Sequence, residues 1–193
     1  MDNNLTYSFV MKGELAKVAL SKTGIPSKHE HSVVLIPEYV KSLSLDLLDD
    51  ELVGQAKEMA TVYTAIAAFE NSVRRFIVKV LIENHGDNWW EKCVSERIKK
   101  GAETRKKEEE KIKWHSQRGE SLINYTEFGD LVSIMAQNYN VFENYIISVD
   151  WARQIIQTIE RSRNVIMHSG MLGRRDIERI GTNIRDWISQ VGE

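Results

Sequence analysis

Three residues near the C-terminus, Arg163, Asn164 and His168, are the strongest candidates for chemistry in this sequence. Asn164 and His168 are four residues apart, a spacing that puts two side chains on one face of a helix. Arg163 precedes His168 by five residues, about 140° around an ideal helix at about 100° per residue. Its long side chain can nevertheless swing toward that face, so the motif would bring an imidazole, an amide and a permanent cation together.

This set of side chains suits a phosphodiester. In metal-free RNA cleavage the ribose 2′-hydroxyl attacks the adjacent phosphorus, so a proton must move and a more highly charged phosphorane must be stabilised. His168 can transfer protons near neutral pH, and a helix C-terminus would favour its protonated form. The planar fork of Arg163 matches phosphate oxygens, while Asn164 can orient either the phosphate or the imidazole.

Two alternatives stay open at this motif. On spacing alone, the simpler interpretation is structural, with His168 as a partner of the helix dipole and Arg163 as an exposed charge. Arg161 is a rival cation, because at seven residues before His168 it shares that face more closely than Arg163 does. Arg163 is preferred because Asn164 follows it directly.

Helical periodicity dominates the chain from about Ser42 onward. One long helix is predicted from near Asp49 to Glu83, because six apolar residues recur there at steps of three and four. These residues are Val62, Ile66, Phe69, Val73, Phe76 and Val80. A second helix is predicted at Trp89–His115, and its charged middle would project from the body. A third follows Thr126, with Leu131, Ile134 and Met135 facing inward, and a fourth spans Asp150–His168. The fifth spans Arg174–Val191, and its inward-facing residues are Ile177, Ile180, Ile184, Trp187 and Ile188.

The predicted fold is all-α, a four- or five-helix bundle with an irregular N-terminal arm. Both prolines, Pro26 and Pro37, lie in the first fifth of the chain, so residues 1–41 are assigned to the arm and residues 42–193 to the helical domain. His29-Glu30-His31 lies in the arm without a third ligand at defined spacing, so a solvated loop is preferred over a metal site. No metal and no cofactor is expected.

Composition excludes several classes of protein. No apolar run is long enough for a membrane span and no signal peptide precedes the domain, so a cytoplasmic protein without membrane contact is expected. The single cysteine, Cys93, cannot form an internal disulfide and is interpreted as a partly buried apolar residue. The sequence also lacks a phosphate-binding glycine loop and a zinc-ligand set.

The net charge of −2 conceals segregated charges. Six acidic residues face two lysines between Glu38 and Glu58, a segment that would repel phosphate or dock a basic partner. Eight Lys and Arg face four Glu from Arg97 to Lys113, and six Arg face three acids from Glu160 to Arg185. The Arg97–Lys113 segment could hold an RNA backbone, although a solvated helix face is the commoner meaning of such a mixed-charge run.

Four segments together resemble the HEPN superfamily of all-helical domains, in which an Arg-polar-x-x-x-His motif ends one of the last helices. The similarity is strongest to the HEPN group named after a yeast nuclear mRNA-surveillance endoribonuclease. It covers roughly Leu52 to Val191, so residues 42–193 are interpreted as a HEPN-like domain. The segments are Ala68–Ile77, Trp89-Trp90, Tyr125–Leu131 and Arg163–Gly170.

The resemblance implies a metal-independent endoribonuclease that acts on RNA, leaves cyclic phosphate ends and is centred on Arg163, Asn164 and His168. It also implies a homodimer with the motif at the interface, and suggests a toxin or antiphage effector restrained by an inhibitory partner protein. Glu70 and Arg74, an i,i+4 pair, would orient His168 or contact RNA, or else form an exposed helix pair.

Two alternatives to the enzyme stay open. The chain could be a catalytically inactive HEPN domain that binds RNA or nucleotide, or a helical protein-interaction module.

A related toxin group carries a modified tyrosine two residues beyond the histidine. Here that position is Gly170, so control by modification of a tyrosine is not expected.

Overall fold

The computed structural model describes residues 37–191. Contacts divide the chain into two units, Met1–Leu43 and Ser44–Glu193. In the first unit the described part is helix α1 (Pro37–Ser42), where the Ser42 hydroxyl donates to the Glu38 carbonyl at 2.9 Å. The arm upstream of Pro37, including His29-Glu30-His31, lies outside the described residues.

The second unit is all-helical over its described range, as expected. Five helices of ten or more residues form its body, and they are joined by short helical segments. The long helices are α2 (Asp50–His85), α4 (Glu96–Glu110), α5 (Phe128–Gln137), α7 (Val149–Met167) and α8 (Arg174–Val191). The short segments are a 3₁₀ turn at Leu45–Leu47, α3 (Trp89–Cys93), a 3₁₀ turn at Leu122–Tyr125 and α6 (Tyr139–Phe142).

Helix α2 is the central element, and both of its ends follow from local sequence. The Asp49 carboxylate accepts from the backbone N–H groups of Glu51 and Leu52 at 3.0 and 3.2 Å, which caps the helix N-terminus. Gly86, at φ 69°, ends the helix in a conformation that favours glycine, and its N–H donates to the Ile82 carbonyl. The boundaries predicted from sequence are confirmed within two residues.

The core lies between α2 and the helices α5, α7 and α8. The predicted stripe of α2 faces it, and all its members are buried except Phe76, which is half-buried. Trp187 of α8 is also buried, stacked on Trp151 with ring centroids 5.5 Å apart. Ile177 and Ile188, however, are exposed, so the prediction that they face inward was wrong.

The predicted helix Trp89–His115 is in fact two helices, because Val94 and Ser95 are extended. The carbonyls freed at the end of α3 find side-chain donors: the Lys99 ammonium binds the Glu91 carbonyl at 2.7 Å, and the Asn138 amide binds the Cys93 carbonyl at 2.8 Å. Lys99 also bonds the carboxylates of Glu91 and Glu96, and the bond to Glu91 is the main reason that its pKa is raised.

Helix α4 packs on the unit instead of projecting from it. Ile98 and Ala102 are buried, and the Arg105 guanidinium donates to the Tyr125 carbonyl at 2.7 Å. Tyr125 is fully buried in the 3₁₀ turn opposite α4, and its hydroxyl donates to the Gly119 carbonyl at 3.0 Å. Burial raises the pKa of this hydroxyl. The expectation of a projecting middle was therefore wrong.

Within residues 37–191 no helix combines the length and apolar character that a membrane crossing needs. The same residues contain no group of three His, Cys, Asp or Glu side chains that could hold a metal ion.

Candidate active site

A cleft of about 790 Å³ lies between α2, α7 and the segment that joins α4 to α5. Four of the six residues singled out in the sequence line it, namely Glu70 and Arg74 from α2 with Arg163 and Asn164 from α7. Glu70 and Arg163 are far apart in sequence, so only the packing of α7 beside α2 brings them together.

Glu70 is the centre of the cleft's charge network. One carboxylate oxygen, Oε1, accepts from Arg74 Nη2 at 2.7 Å, and the other, Oε2, lies 3.4 Å from Arg163 Nε. Glu70 is only 8% exposed, so its charge is compensated by the two guanidinium groups rather than by water. One buried carboxylate therefore positions two arginines.

Arg74 is fixed on several sides. Besides its ion pair with Glu70, it donates from Nε to the Ile123 carbonyl at 3.3 Å and from Nη2 to the Thr126 carbonyl at 3.2 Å. These bonds tie α2 to the 3₁₀ turn before α5. Arg74 and Glu70 are thus not an exposed helix pair. Besides Arg74, the Glu70 carboxylate contacts Arg163, and within residues 37–191 it forms no ion pair with His168.

Arg163 keeps part of its donor capacity. Its ion pair with Glu70 uses Nε, and among the described residues no hydrogen bond to its Nη atoms occurs. Its side chain is 34% exposed, so the outer edge of the guanidinium faces the cleft and solvent. That edge is the face that binds phosphate oxygens in pairs.

His168 is the C-cap residue of α7 and is exposed, as the predicted helix end requires. The turn after it is a Schellman motif: the Gly170 N–H donates to the Val165 carbonyl at 2.8 Å and the Ser169 N–H to the Ile166 carbonyl at 2.9 Å. Ser169 takes the left-handed position at φ 61°. His168 follows Met167, which lines the cleft, but His168 itself does not line it.

Arg161 is placed apart from the cleft. It is exposed, it does not line the cavity, and it forms no ion pair within residues 37–191. On an ideal helix Arg161 would lie closer to the face of His168 than Arg163 does. The structure instead groups Arg163 with Asn164, because the buried Glu70 draws Arg163 toward α2.

Several lining residues were not found by sequence reasoning. They include Asn71, Arg118, Asn124, Glu127 and Glu160. Asn71 follows Glu70 directly and could have been suspected, but Arg118 and Asn124 come from an irregular segment without periodicity. The full lining carries three arginines, at 74, 118 and 163, and three glutamates, at 70, 127 and 160, so the cleft is balanced in charge.

The mixed-charge segment Arg97–Lys113 contributes less free charge than its composition suggests. Arg97 pairs with Asp130, Lys99 with Glu91 and Glu96, and Arg105 with Glu127. These contacts fasten α4 to its neighbours. Part of the segment's positive charge is therefore held in ion pairs, which a solvated helix face, the preferred interpretation of the run, does not predict.

A family model described as Swt1-like HEPN matches residues 64–192 of the chain. The match covers about two thirds of the sequence and contains all six residues discussed above. No curated protein and no solved structure matches the chain.

Proposed function

Because the chain belongs to the Swt1-like HEPN family, whose namesake is the yeast mRNA-surveillance endoribonuclease, we propose that it is a metal-independent endoribonuclease. The observation that carries the proposal is the ion pair of Arg163 with the buried Glu70. This contact presents the free edge of a permanent cation to a cleft that also contains Asn164, at the end of the helix capped by His168.

In the proposed reaction the 2′-hydroxyl of one nucleotide attacks the adjacent phosphorus, and the bond to the 5′-oxygen of the next nucleotide breaks. Arg163 stabilises the negative charge that develops on the phosphorane, and Asn164 orients the phosphate. His168 transfers the proton, either from the attacking hydroxyl or to the leaving oxygen. The products are a cyclic phosphate and a free 5′-hydroxyl.

A homodimer is part of the proposal, because the surface beside His168 is apolar. A groove of about 470 Å³ runs between the first half of α2 and the turn after α7, and Ser169 and Gly170 belong to its lining. Three of its apolar side chains are well exposed: Leu52 at 64%, Met167 at 55% and Met171 at 44%. A second copy on this groove would cover the apolar surface and bring two motifs to one interface.

Incubation of labelled RNA with excess EDTA tests the enzyme. Wild type is compared with His168→Ala and Arg163→Ala, and circular dichroism checks that all three are folded. We expect cleavage with cyclic phosphate ends by the wild type alone. Absence of cleavage by the wild type would contradict the proposal, and cleavage that persists in His168→Ala would place the activity elsewhere.

The dimer has its own test, in which Met171→Glu puts a charge into the apolar groove. We expect this variant to sediment as a monomer where the wild type is a dimer, and to lose cleavage. Ile188→Glu adds the same charge at an exposed apolar position of α8 outside the groove, where Ile188 is 57% exposed. If both variants dimerise like the wild type, the groove is not the interface.

A catalytically inactive RNA-binding domain is the second candidate. One observation favours it: the His168 imidazole does not line the cleft that holds Arg163 and Asn164. RNA binding without cleavage, at protein concentrations that permit dimerisation, would select this candidate.

The narrower proposal of a toxin or antiphage effector, restrained by an inhibitory partner protein, depends on the same activity. Induced expression of wild type and of His168→Ala in growing cells tests it. We expect growth arrest with the wild type only. Equal growth of both strains, with both proteins present, would contradict a toxic role.

A further inference from the structure

A second groove, of about 580 Å³, opens next to the cleft along α2. It shares four lining residues with the cleft, Asn71, Arg74, Arg118 and Asn124. Beyond these it adds Arg75 and Lys79, which continue along the same helix toward its C-terminus. A chain bound in the cleft could therefore pass into this surface, called the basic groove below, without crossing another element.

The cleft and the basic groove differ in charge. The cleft carries as many glutamates as arginines, whereas the basic groove is lined by four cations, at positions 74, 75, 79 and 118, and by no carboxylate. A polyanion is attracted more strongly to the groove than to the cleft, because the cleft's charges compensate one another.

Two of the four cations are uncommitted. Arg74 is bound to Glu70, and Arg118 lies 2.6 Å from a carboxylate oxygen of Glu109. Arg75 and Lys79 are exposed and form no ion pair within residues 37–191. Glu83, one turn beyond Lys79, does not line the basic groove, although it shares with Arg75 and Lys79 the lining of a separate, mainly apolar cavity beside Trp187.

We propose that the basic groove binds the phosphates of the single-stranded RNA that continues from the cleavage point. Arg75 and Lys79 are one helical turn apart, about 6 Å along α2, so each can neutralise a separate phosphate of an extended strand. The amides of Asn71 and Asn124, at the boundary with the cleft, can bond the sugar or base between the two sites. This inference rests on the proposed ribonuclease function for its direction, but its electrostatic basis is independent of catalysis.

Binding is measured by fluorescence anisotropy with labelled 2′-O-methyl RNA of about twelve nucleotides, a length within the range of single-strand sites. This probe has no free 2′-hydroxyl and cannot be cleaved by the proposed route. For the double variant Arg75→Gln/Lys79→Gln we expect the negative slope of log Kobs against log salt to fall in magnitude by about 1.4, since each single-strand phosphate contributes about 0.7 to that magnitude.

The matched control is Lys92→Gln/Lys100→Gln, which removes the same charge from exposed positions that line none of the cavities described above. We expect this control to keep the slope of the wild type. An unchanged slope in Arg75→Gln/Lys79→Gln, or an equal fall in the control, overturns the proposal. Thermal melting confirms that both double variants are folded.

Cleavage separates this inference from the function on which it rests. We expect Arg75→Gln/Lys79→Gln to lower kcat/KM on a long single-stranded RNA and to leave kcat/KM on a diribonucleotide unchanged, because the short substrate does not reach the groove. If the wild type binds the probe through this groove but cleaves nothing, the groove stands and the ribonuclease proposal fails. If cleavage of both substrates is unaffected, the groove fails and the ribonuclease stands.

Discussion

Glu70 on α2 and Arg163 on α7 meet inside the cleft, with Oε2 of the carboxylate 3.4 Å from Nε of the guanidinium. The carboxylate is buried and the guanidinium is partly exposed, so the contact fixes the inner side of Arg163 and leaves its outer edge available. The Arg163 guanidinium, which would bind phosphate, is thus held by the Glu70 carboxylate, which would not.

Glu70→Gln tests this arrangement. The change removes a buried charge that compensates two arginines, so we expect the free energy of unfolding to fall by about 3–5 kcal/mol, as when one partner of a buried ion pair is removed. Denaturant titration measures it. Glu58→Gln, an exposed position on the same helix, should change it by less than about 0.5 kcal/mol. Equal stability of the two variants would show that the network contributes little.

Cleavage rates distinguish the two candidate cations, Arg161 and Arg163. Arg163→Gln should reduce kcat by about 10²-fold or more, because a positioned donor to the transition state is lost. Arg161→Gln should leave kcat near that of the wild type, since Arg161 is outside the cleft. Single-turnover cleavage of labelled RNA measures both. The reverse order of effects would return Arg161 to the site.

Gly170→Ala should destabilise the turn after His168. A Cβ at Gly170 would lie 2.7 Å from Val165 Cγ1 and 2.9 Å from the Val165 carbonyl oxygen, so we expect a loss of about 1–3 kcal/mol. At Gly173 an added Cβ meets only Asp176 Oδ2 at 3.8 Å, an ordinary contact, so Gly173→Ala is the control. Thermal unfolding compares them, and similar melting temperatures would contradict the predicted crowding.

Cys93 should react slowly in the folded protein. It is 6% exposed, and burial raises the pKa of its thiol, an effect that the charge of Lys92 opposes. As the pH rises through the ordinary thiol pKa the unfolded chain ionises first, so stability present at lower pH is lost. Alkylation rates with and without denaturant, across that pH range, measure this. Because the chain has one cysteine, all labelling reports on Cys93.

Local sequence was sufficient for the elements whose periodicity and caps agree. Asp49 at the start of α2, Gly86 at its end and the apolar stripe between them all act within a few residues, so the predicted helix is confirmed. The C-terminus of α7 at His168 follows for the same reason. This local pattern alone was sufficient to predict the all-α fold class.

Long-range contacts decided what the sequence could not. At the break between α3 and α4 the Cys93 carbonyl accepts from the Asn138 amide, a partner 45 residues away in sequence. The contact that distinguishes Arg163 from Arg161 depends on the position of Glu70 in α2, which no helix periodicity reports. Ile177 and Ile188 belong to the apolar pattern of α8, but the helices packed against α8 leave both side chains exposed.

The break between α3 and α4 has a mechanical consequence. Lys99, from α4 itself, and Asn138, from outside both helices, donate to the Glu91 and Cys93 carbonyls that a continuous helix would have used, so the bend is held in part by a residue of neither helix. Substitutions at Val94 or Ser95 alone would not straighten it while those two donors stay in place. The bend between α3 and α4 therefore depends on a packed neighbour as well as on its own two-residue hinge.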